Sequence, residues 1–257
     1  MTVLQRLRAP RLDERLAAVA EMVGRAHVDA EELHALGECL GGEPKVLQRR
    51  AAEAFATLHQ RGIAVTDTLL GILQAAGRQQ RWGAAYALSR LGAAPLAALP
   101  VLLEGLGAND GDLRWAAADA LVHMEPAPES AAALRHLLAD GTPSQRKMAA
   151  YCLRDLPVRS PAIEQALFAA LDDPEPRVRL AAMSSLARVC HERAGLAARV
   201  AAMLGDTDAG VRRAAAAVLG GLGTPTDTVL AALHRAASSA DLSVQRAALR
   251  SLRLLGA

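Results

Sequence analysis

Aromatic residues are scarce in this chain of 257 residues: they make up 2% of it, whereas hydrophobic residues make up 52%. Its apolar content is mostly Ala and Leu, which favour helices. The aromatic and β-branched residues that favour strands are few. The composition therefore predicts an all-helical protein with enough apolar surface to form a core.

Cysteine pairs and long apolar runs are also missing. The three cysteines, Cys39, Cys152 and Cys190, form no Cys-x-x-Cys motif, which excludes a disulfide framework or a zinc knuckle and predicts a reducing, cytoplasmic location. No signal peptide is visible, and the most apolar region, residues 91–108, is broken by proline and glutamate. We therefore expect no membrane partner.

Recognisable catalytic and cofactor motifs are absent as well. No glycine-rich phosphate loop and no nucleophile–base arrangement can be assigned, and Glu31, His34 and Glu38 are best explained as a solvated helix face. We expect no cofactor and no metal. The net charge of +2 does not by itself indicate a nucleic-acid-binding protein.

An internal repeat extends through the whole sequence. A unit that begins Val-Arg-Leu-Ala-Ala at Val178 returns at Val211 and Val244, 33 residues apart. Going backwards, corresponding units begin near Gln145, Leu113, Gln80, Leu47 and Glu14. This regularity predicts a single repeat domain over residues 1–257.

Each unit, numbered from position 1 at those starts, has the pattern of an amphipathic helix. Positions 4, 5, 8, 9 and 12 are small or apolar nearly everywhere. Second apolar helices are predicted between the units, near residues 67–75, 96–106, 131–138, 163–171, 196–204 and 228–236. Each repeat is thus a helix pair that must stack on its neighbours to bury its apolar faces.

The sequence Asp-Asp-Pro-Glu-Pro-Arg-Val-Arg-Leu-Ala-Ala at residues 172–182 closely resembles a HEAT repeat of the short bacterial type found in phycobilin lyases, and residues 205–215 match it again. This resemblance implies an all-α solenoid, a right-handed superhelix of about eight helix pairs. It also implies that the Val-Arg-x-Ala-Ala helices line its concave face. HEAT solenoids serve many tasks, so the resemblance does not specify a function.

Arginine recurs at position 2 of the unit, and aspartate often lies five residues before position 1, as at Asp140, Asp173 and Asp206. We interpret the two as a ladder of Arg–Asp contacts between successive turns. A row of phosphate-binding arginines is the alternative.

Helix geometry turns positions 3, 7 and 10 away from the core, towards the concave face. Both tryptophans and both tyrosines fall on positions 3 and 7 of repeats 3 to 5. This favours a binding site; the plainer interpretation is a shallow groove or a tight superhelix that buries the rings. The predicted ligand-binding residues are Trp82, Tyr86, Arg90, Trp115, Asp119, His123, Lys147 and Tyr151.

Positive charge concentrates on the same positions of the later repeats. Arg213, Arg246 and Arg250 are predicted to contact an anion or phosphate. A merely solvated face is the alternative.

Two functions are consistent with these features. The first is a binding scaffold that grips a protein, a peptide or a small cationic ligand. The second is an enzyme, because Trp115 and Asp119, with Trp82 and Tyr151 nearby, are similar to the site of HEAT-like alkylpurine DNA glycosylases. That resemblance implies nucleic acid as the partner and Asp119 as the catalytic carboxylate that stabilises a cationic sugar.

Overall fold

The computed structural model describes residues 1–41, 44–75, 77–92, 95–124 and 127–257. Every regular element among them is helical. Short 3-10 turns lie at Leu96–Ala98, Ala170–Asp172 and Met203–Gly205. The α-helices are α1 Val3–Leu7, α2 Leu12–Gly24, α3 Ala30–Glu38, α4 Lys45–Gln60, α5 Thr66–Ala75, α6 Arg78–Arg90, α7 Leu99–Gly105, α8 Gly111–Val122, α9 Ala127–Asp140, α10 Pro143–Asp155, α11 Pro161–Ala169, α12 Pro176–Val189, α13 Arg193–Ala202, α14 Ala209–Leu222, α15 Asp227–Ala237 and α16 Leu242–Leu255.

The even-numbered helices are the predicted repeat helices, and each begins two residues before its predicted start. Their first turns explain the position. Asp110, Thr142, Asp208 and Asp241 accept hydrogen bonds from backbone N–H groups that the helix leaves unpaired. Proline, which fits the first helical position, starts α10 and α12. The all-α solenoid class is therefore confirmed.

The chain divides into two compact units, Met1–Ser130 (unit 1) and Ala131–Ala257 (unit 2), with the division inside α9. In unit 1, the repeat helices pack in sequence: α2 on α4, α4 on α6 and α6 on α8. In unit 2, α10 packs on α12, α12 on α14 and α14 on α16. Each unit is a stack of helix pairs. Among the described residues, no helix has the length and apolar content needed to cross a lipid bilayer.

The core follows the predicted pattern most closely at positions 5 and 9. The alanine at position 5 and the larger apolar residue at position 9 are buried in all eight repeats, from Ala18 and Met22 to Ala248 and Leu252. No residue at position 3 or 7 is buried. The prediction that position 10 is also solvent-facing is wrong at Gly220, where a Cβ atom would lie only 2.5 Å from Ser251 Oγ.

Two Arg–Asp rungs connect successive repeats of unit 2. Arg146 donates to both carboxylate oxygens of Asp173, at 2.7 and 2.8 Å, and Arg179 donates to both of Asp206, at 2.8 and 2.6 Å. The ladder is thus confirmed at these positions, and the phosphate-binding alternative is wrong for these two arginines. Asp140, expected in the same ladder, instead lies 2.9 Å from His136 Nδ1.

The rungs also determine the ionisation of their carboxylates. Burial on its own would raise the pKa of Asp206, but hydrogen bonds from Arg179 and from the Asp208 backbone N–H outweigh it and hold the pKa below its ordinary value. The pKa of Asp173 is lowered against its burial in the same way by Arg146 and the Glu175 N–H. Both carboxylates therefore stabilise the folded state in their charged form.

We expect Asp206→Asn to lower the free energy of unfolding by about 2 kcal/mol at neutral pH, because the half-buried Arg179 loses a charged bidentate partner. The folded pKa of Asp206 lies below the unfolded value of about 3.9, so this contribution is complete above that pH and is lost as the pH falls through the folded pKa. Urea unfolding between neutral and acid pH measures it. A constant difference down to strongly acid pH would contradict the assignment, and the exposed Arg177→Ala serves as control.

Ser239 occupies the position at which Asp173 and Asp206 form the Arg–Asp ladder in the preceding repeats. Ser239 accepts the backbone N–H of Asp241, as Asp173 and Asp206 accept those of Glu175 and Asp208. We expect Ser239→Asp to pair with Arg212 and to raise the free energy of unfolding by about 1 kcal/mol. The neighbouring Ser238→Asp should not do so, and equal thermal unfolding of the two variants would contradict the prediction.

Candidate functional site

Six of the predicted binding residues lie in unit 1. Trp82, Tyr86 and Arg90 are on α6, whereas Trp115 and Asp119 are on α8 and His123 caps its end. Unit 2 holds the other two, Lys147 and Tyr151, both on α10.

Trp82 and Tyr86 form a stacked pair along α6. Their ring centroids are 6.2 Å apart and their planes differ by 23°. Residues four apart are neighbours on a helix surface, so the spacing alone brings them together. Offset stacking of this kind stabilises the pair beyond its buried area and holds both rings in a fixed orientation.

The stacked pair forms the wall of a pocket of about 180 Å³ between α4, α6 and α8, which we call the anchor pocket. Part of its lining is small or apolar, including Gly83 and Leu113. Charged side chains surround it. The lining residues are Lys45, Gln48, Arg49, Trp82, Gly83, Tyr86, Asp110, Asp112, Leu113 and Ala116.

Two ion pairs cross the pocket from α4 to α8. Lys45 pairs with Asp110, and Arg49 Nη2 lies 3.6 Å from Asp112 Oδ2. The hydrogen bond from Lys45 is the main reason why the pKa of Asp110 is lowered, and the same bond raises the pKa of Lys45. Since α6 lies between α4 and α8 in the stack, these pairs join helices two repeats apart. The four charged residues line the same pocket as Trp82 and Tyr86.

Trp82 also separates the anchor pocket from a second hollow. That hollow, of about 390 Å³, lies between α6, α7 and the start of α8, and its lining shares Trp82, Asp110 and Leu113 with the anchor pocket. The indole lies against Gly105, on which a Cβ atom would be 2.9 Å from Trp82 Cζ3. The absence of a side chain at Gly105 is therefore what sets the position of the indole.

Trp115, Asp119 and His123 lie outside the anchor pocket. Trp115 is 55% exposed, and the Asp119 side chain is 71% exposed. His123 Nδ1 lies 3.5 Å from Asp119 Oδ1 and 2.8 Å from the Asp119 carbonyl oxygen. Trp115 and Asp119 lie on one helix, as their spacing predicts. The carboxylate is exposed to water and does not lie in an apolar environment.

In unit 2, Tyr151 carries a guanidinium above its ring. Arg154 Cζ is 5.1 Å from the ring centroid, a cation–π distance. Asp155 fixes that guanidinium by accepting two hydrogen bonds, at 2.9 and 2.6 Å. Lys147, one turn before Tyr151, is half-buried.

The predicted anion-contacting residues Arg213, Arg246 and Arg250 are all exposed, on α14 and α16. In the part of the chain that the structure describes, none of the three forms an ion pair. Their charge is therefore available to a partner.

Sequence reasoning missed Lys45, Gln48, Asp110 and Asp112, because the first residues of a repeat helix are not on positions 3, 7 and 10. Their signal is the charge pattern: a basic start to α4 and an acidic start to α8.

The Cys152 thiol lies in the core of unit 2. Burial raises the pKa of the Cys152 thiol to about 12, so it is a poor nucleophile. Among the described residues, no cluster of His, Cys, Asp and Glu could hold a metal ion.

Comparison with known families agrees with the stacked helix pairs. The profile of HEAT repeats matches residues 33–121, 81–154 and 196–257, and a single HEAT repeat profile matches residues 163–192. The class defined by the fold is the α-solenoid of repeated helix pairs. Since these matches cover well over half of the chain, it belongs to the HEAT-repeat family.

Solved structures show the same fold at low sequence identity. YibA of E. coli is 16% identical with a TM-score of 0.56, over 99% of this chain and 91% of that one. The karyopherin Kap121p, bound to the extreme C-terminus of the protein phosphatase Cdc14p, is 14% identical with a TM-score of 0.64 over 99% of this chain. This chain spans about a third of the karyopherin's length, matching 33% of it. No curated protein sequence matches the chain.

We expect Gly105→Ala to displace the Trp82 indole, since the new methyl group would lie within 3.0 Å of both Trp82 Cζ3 and Ala117 Cβ. In a Trp115→Phe background Trp82 is the one tryptophan of the sequence, so the tryptophan emission and the near-ultraviolet circular dichroism should change. Gly71→Ala is the matched control: nothing lies within 4 Å of its Cβ, and it should leave the spectrum unchanged while stabilising α5 by about 0.5–1 kcal/mol. An unchanged spectrum for Gly105→Ala would contradict the described packing.

Proposed function

We propose that this protein is a HEAT-repeat binding scaffold that holds a partner protein by inserting one of the partner's side chains into the anchor pocket of unit 1. The stacked Trp82–Tyr86 wall of that pocket is the observation that carries the proposal. Aromatic side chains held in place by their own packing are typical of the residues that contribute most to protein binding.

The size of the pocket favours a side chain over a small-molecule ligand. Pockets that enclose small molecules usually measure about 300–1,000 Å³. The anchor pocket, at about 180 Å³, is smaller than that range and suits a single apolar side chain. A small cationic ligand against Trp82 and the two aspartates is the second candidate, because aromatic faces attract cations.

The charged rim favours a partner with charges on both sides of the inserted residue. Arg49 and Asp112 are largely exposed, with 62% and 79% of their side-chain surface accessible. Exposed ion pairs of this kind contribute little to stability, so exchanging one for a contact with a partner costs little. A peptide with a basic and an acidic residue flanking its anchor would satisfy both sides of the rim.

Kap121p, which holds the extreme C-terminus of Cdc14p, illustrates that a solenoid of this kind can bind a linear segment of another protein. The anchor pocket of this chain supports the proposal independently of that likeness. The alternative of an alkylpurine DNA glycosylase stays a prediction. Its proposed catalytic residue, Asp119, lies outside the anchor pocket with an exposed carboxylate, which favours neither desolvation nor contact with the stacked rings.

The proposal can be tested by panning a display library of random peptides on the full wild-type chain, without selection against any variant. Enriched peptides should share an apolar residue flanked by charges. Calorimetric titration should show that the affinity for these peptides is roughly ten-fold or more lower in Trp82→Ala than in the wild type. In a Trp115→Phe background, binding should also change the fluorescence of Trp82.

The matched control is Leu96→Ala, which removes an exposed apolar side chain that does not line the anchor pocket. It should bind the peptides as the wild type does. Equal binding by Trp82→Ala would contradict the proposal. A saturable fluorescence change with duplex DNA, stronger for an abasic or N-alkylated duplex, would favour the glycosylase instead. In that case Asp119→Asn should abolish base release from the alkylated duplex while largely sparing DNA binding.

A further inference from the structure

The exposed side of α16 carries leucine and arginine in alternation. Leu242, Arg246, Leu249 and Arg253 are spaced i, i+4, i+7 and i+11, which places them along one face of the helix. We call this row the α16 stripe. All four residues are exposed, and Leu242 and Leu249 are 60% and 44% accessible.

Leu249 occupies a position that is otherwise a packing position. It is position 6 of its repeat, and position 6 is buried in all seven other repeats, from Val19 to Ala216. The α16 stripe therefore presents the kind of apolar surface that packs against another helix. Its exposed leucines distinguish it from a face that is only charged.

The charged side chains on the repeat helices around the stripe are all basic. Arg250 flanks it on α16 and Arg213 is exposed on the adjacent α14, and α12, α14 and α16 contain no Asp or Glu. Arg246, Arg250 and Arg253 are spaced three, four and seven residues apart, so they repel one another along the helix. Acidic side chains placed opposite them would relieve this repulsion.

We propose that the α16 stripe binds an acidic amphipathic helix of a partner protein. Its leucines would pack against the apolar face of that helix, and the arginines would pair with carboxylates on either side of it. Nucleic acid suits the stripe less well, because α14 and α16 carry no aromatic ring on which a base could stack and the leucines interrupt the row of charges. The proposal concerns unit 2 and does not depend on the anchor pocket.

The test uses the full chain and a fluorescein-labelled peptide of about 20 residues, with leucine at i, i+3, i+4 and i+7, glutamate beside these leucines and alanine elsewhere, so that it can form an acidic amphipathic helix. Fluorescence anisotropy should show saturable binding, tighter than that of polyglutamate or of a duplex DNA of similar charge. Arg246→Glu should weaken binding roughly ten-fold or more, and Leu249→Gln roughly three-fold or more.

Two controls match these variants. Leu96→Gln changes a leucine of nearly the same exposure, 43%, in unit 1, and Arg235→Glu reverses an exposed charge on α15. Both should bind the peptide as the wild type does, and circular dichroism verifies that every variant is folded. Trp82→Ala should also bind normally, so a failure of the anchor pocket and a failure of the stripe are distinguishable.

Several outcomes would overturn the proposal. They are an absence of peptide binding, equal or tighter binding of polyglutamate or DNA, and a loss on Arg246→Glu without any loss on Leu249→Gln, which would reveal only charge attraction. Sedimentation at the same concentration provides a further outcome: a dimer that Leu249→Gln dissociates would assign the stripe to a second copy of this chain and not to an acidic partner.

Discussion

Close stacking of the repeat helices is the constraint on which the rest of the structure depends. Alanine at position 5 of every repeat lets neighbouring helices approach, and the larger residue at position 9 fills the space beside it. One helix pair could not bury these residues alone. Polar side chains buried in this contact form hydrogen bonds with the neighbouring helix. The Ser185 and Ser251 hydroxyls donate to the carbonyl oxygens of Ala150 and Ala216, at 2.9 and 2.7 Å.

This division of roles is why the repeat could be recognised from the sequence and why its register was predicted to within two residues. Core positions accept only small or apolar side chains, and the turns need capping residues and prolines, so both leave a pattern with a period of 33 residues. The exposed positions are under no such constraint. Their residues differ between repeats, and the aromatic ones, Trp82 and Tyr86, stand out because the core uses almost none.

The anchor pocket shows what the pattern could not predict. Its Trp82–Tyr86 wall follows from helical spacing, but its rim depends on Lys45 and Asp110, which are 65 residues apart and meet only because unit 1 brings α4 and α8 together across α6. Asp110 by itself predicts a helix cap, and that role is real, since it accepts the N–H groups of Asp112 and Leu113. When a residue has two roles, its neighbours in the sequence reveal only the local one.

The prediction for position 10 was wrong at Gly220 for a related reason. Gly220 lies against Ser251, and a small residue has no polarity from which its direction could be predicted.

Charge is distributed differently in the two units. Local structure explains the positions of the acidic residues but not those of all the arginines. Unit 1 has a net charge of −3 and unit 2 of +5. In unit 2 many of the acids have structural tasks in the turns, as Asp173 and Asp206 in the Arg–Asp ladder and Asp208 and Asp241 at helix N-termini. These tasks explain why the acids are kept off α12, α14 and α16. They require arginine only at position 2, however, and not at Arg213, Arg246, Arg250 or Arg253. The acidic helix that we propose as a partner would place charges opposite to these arginines.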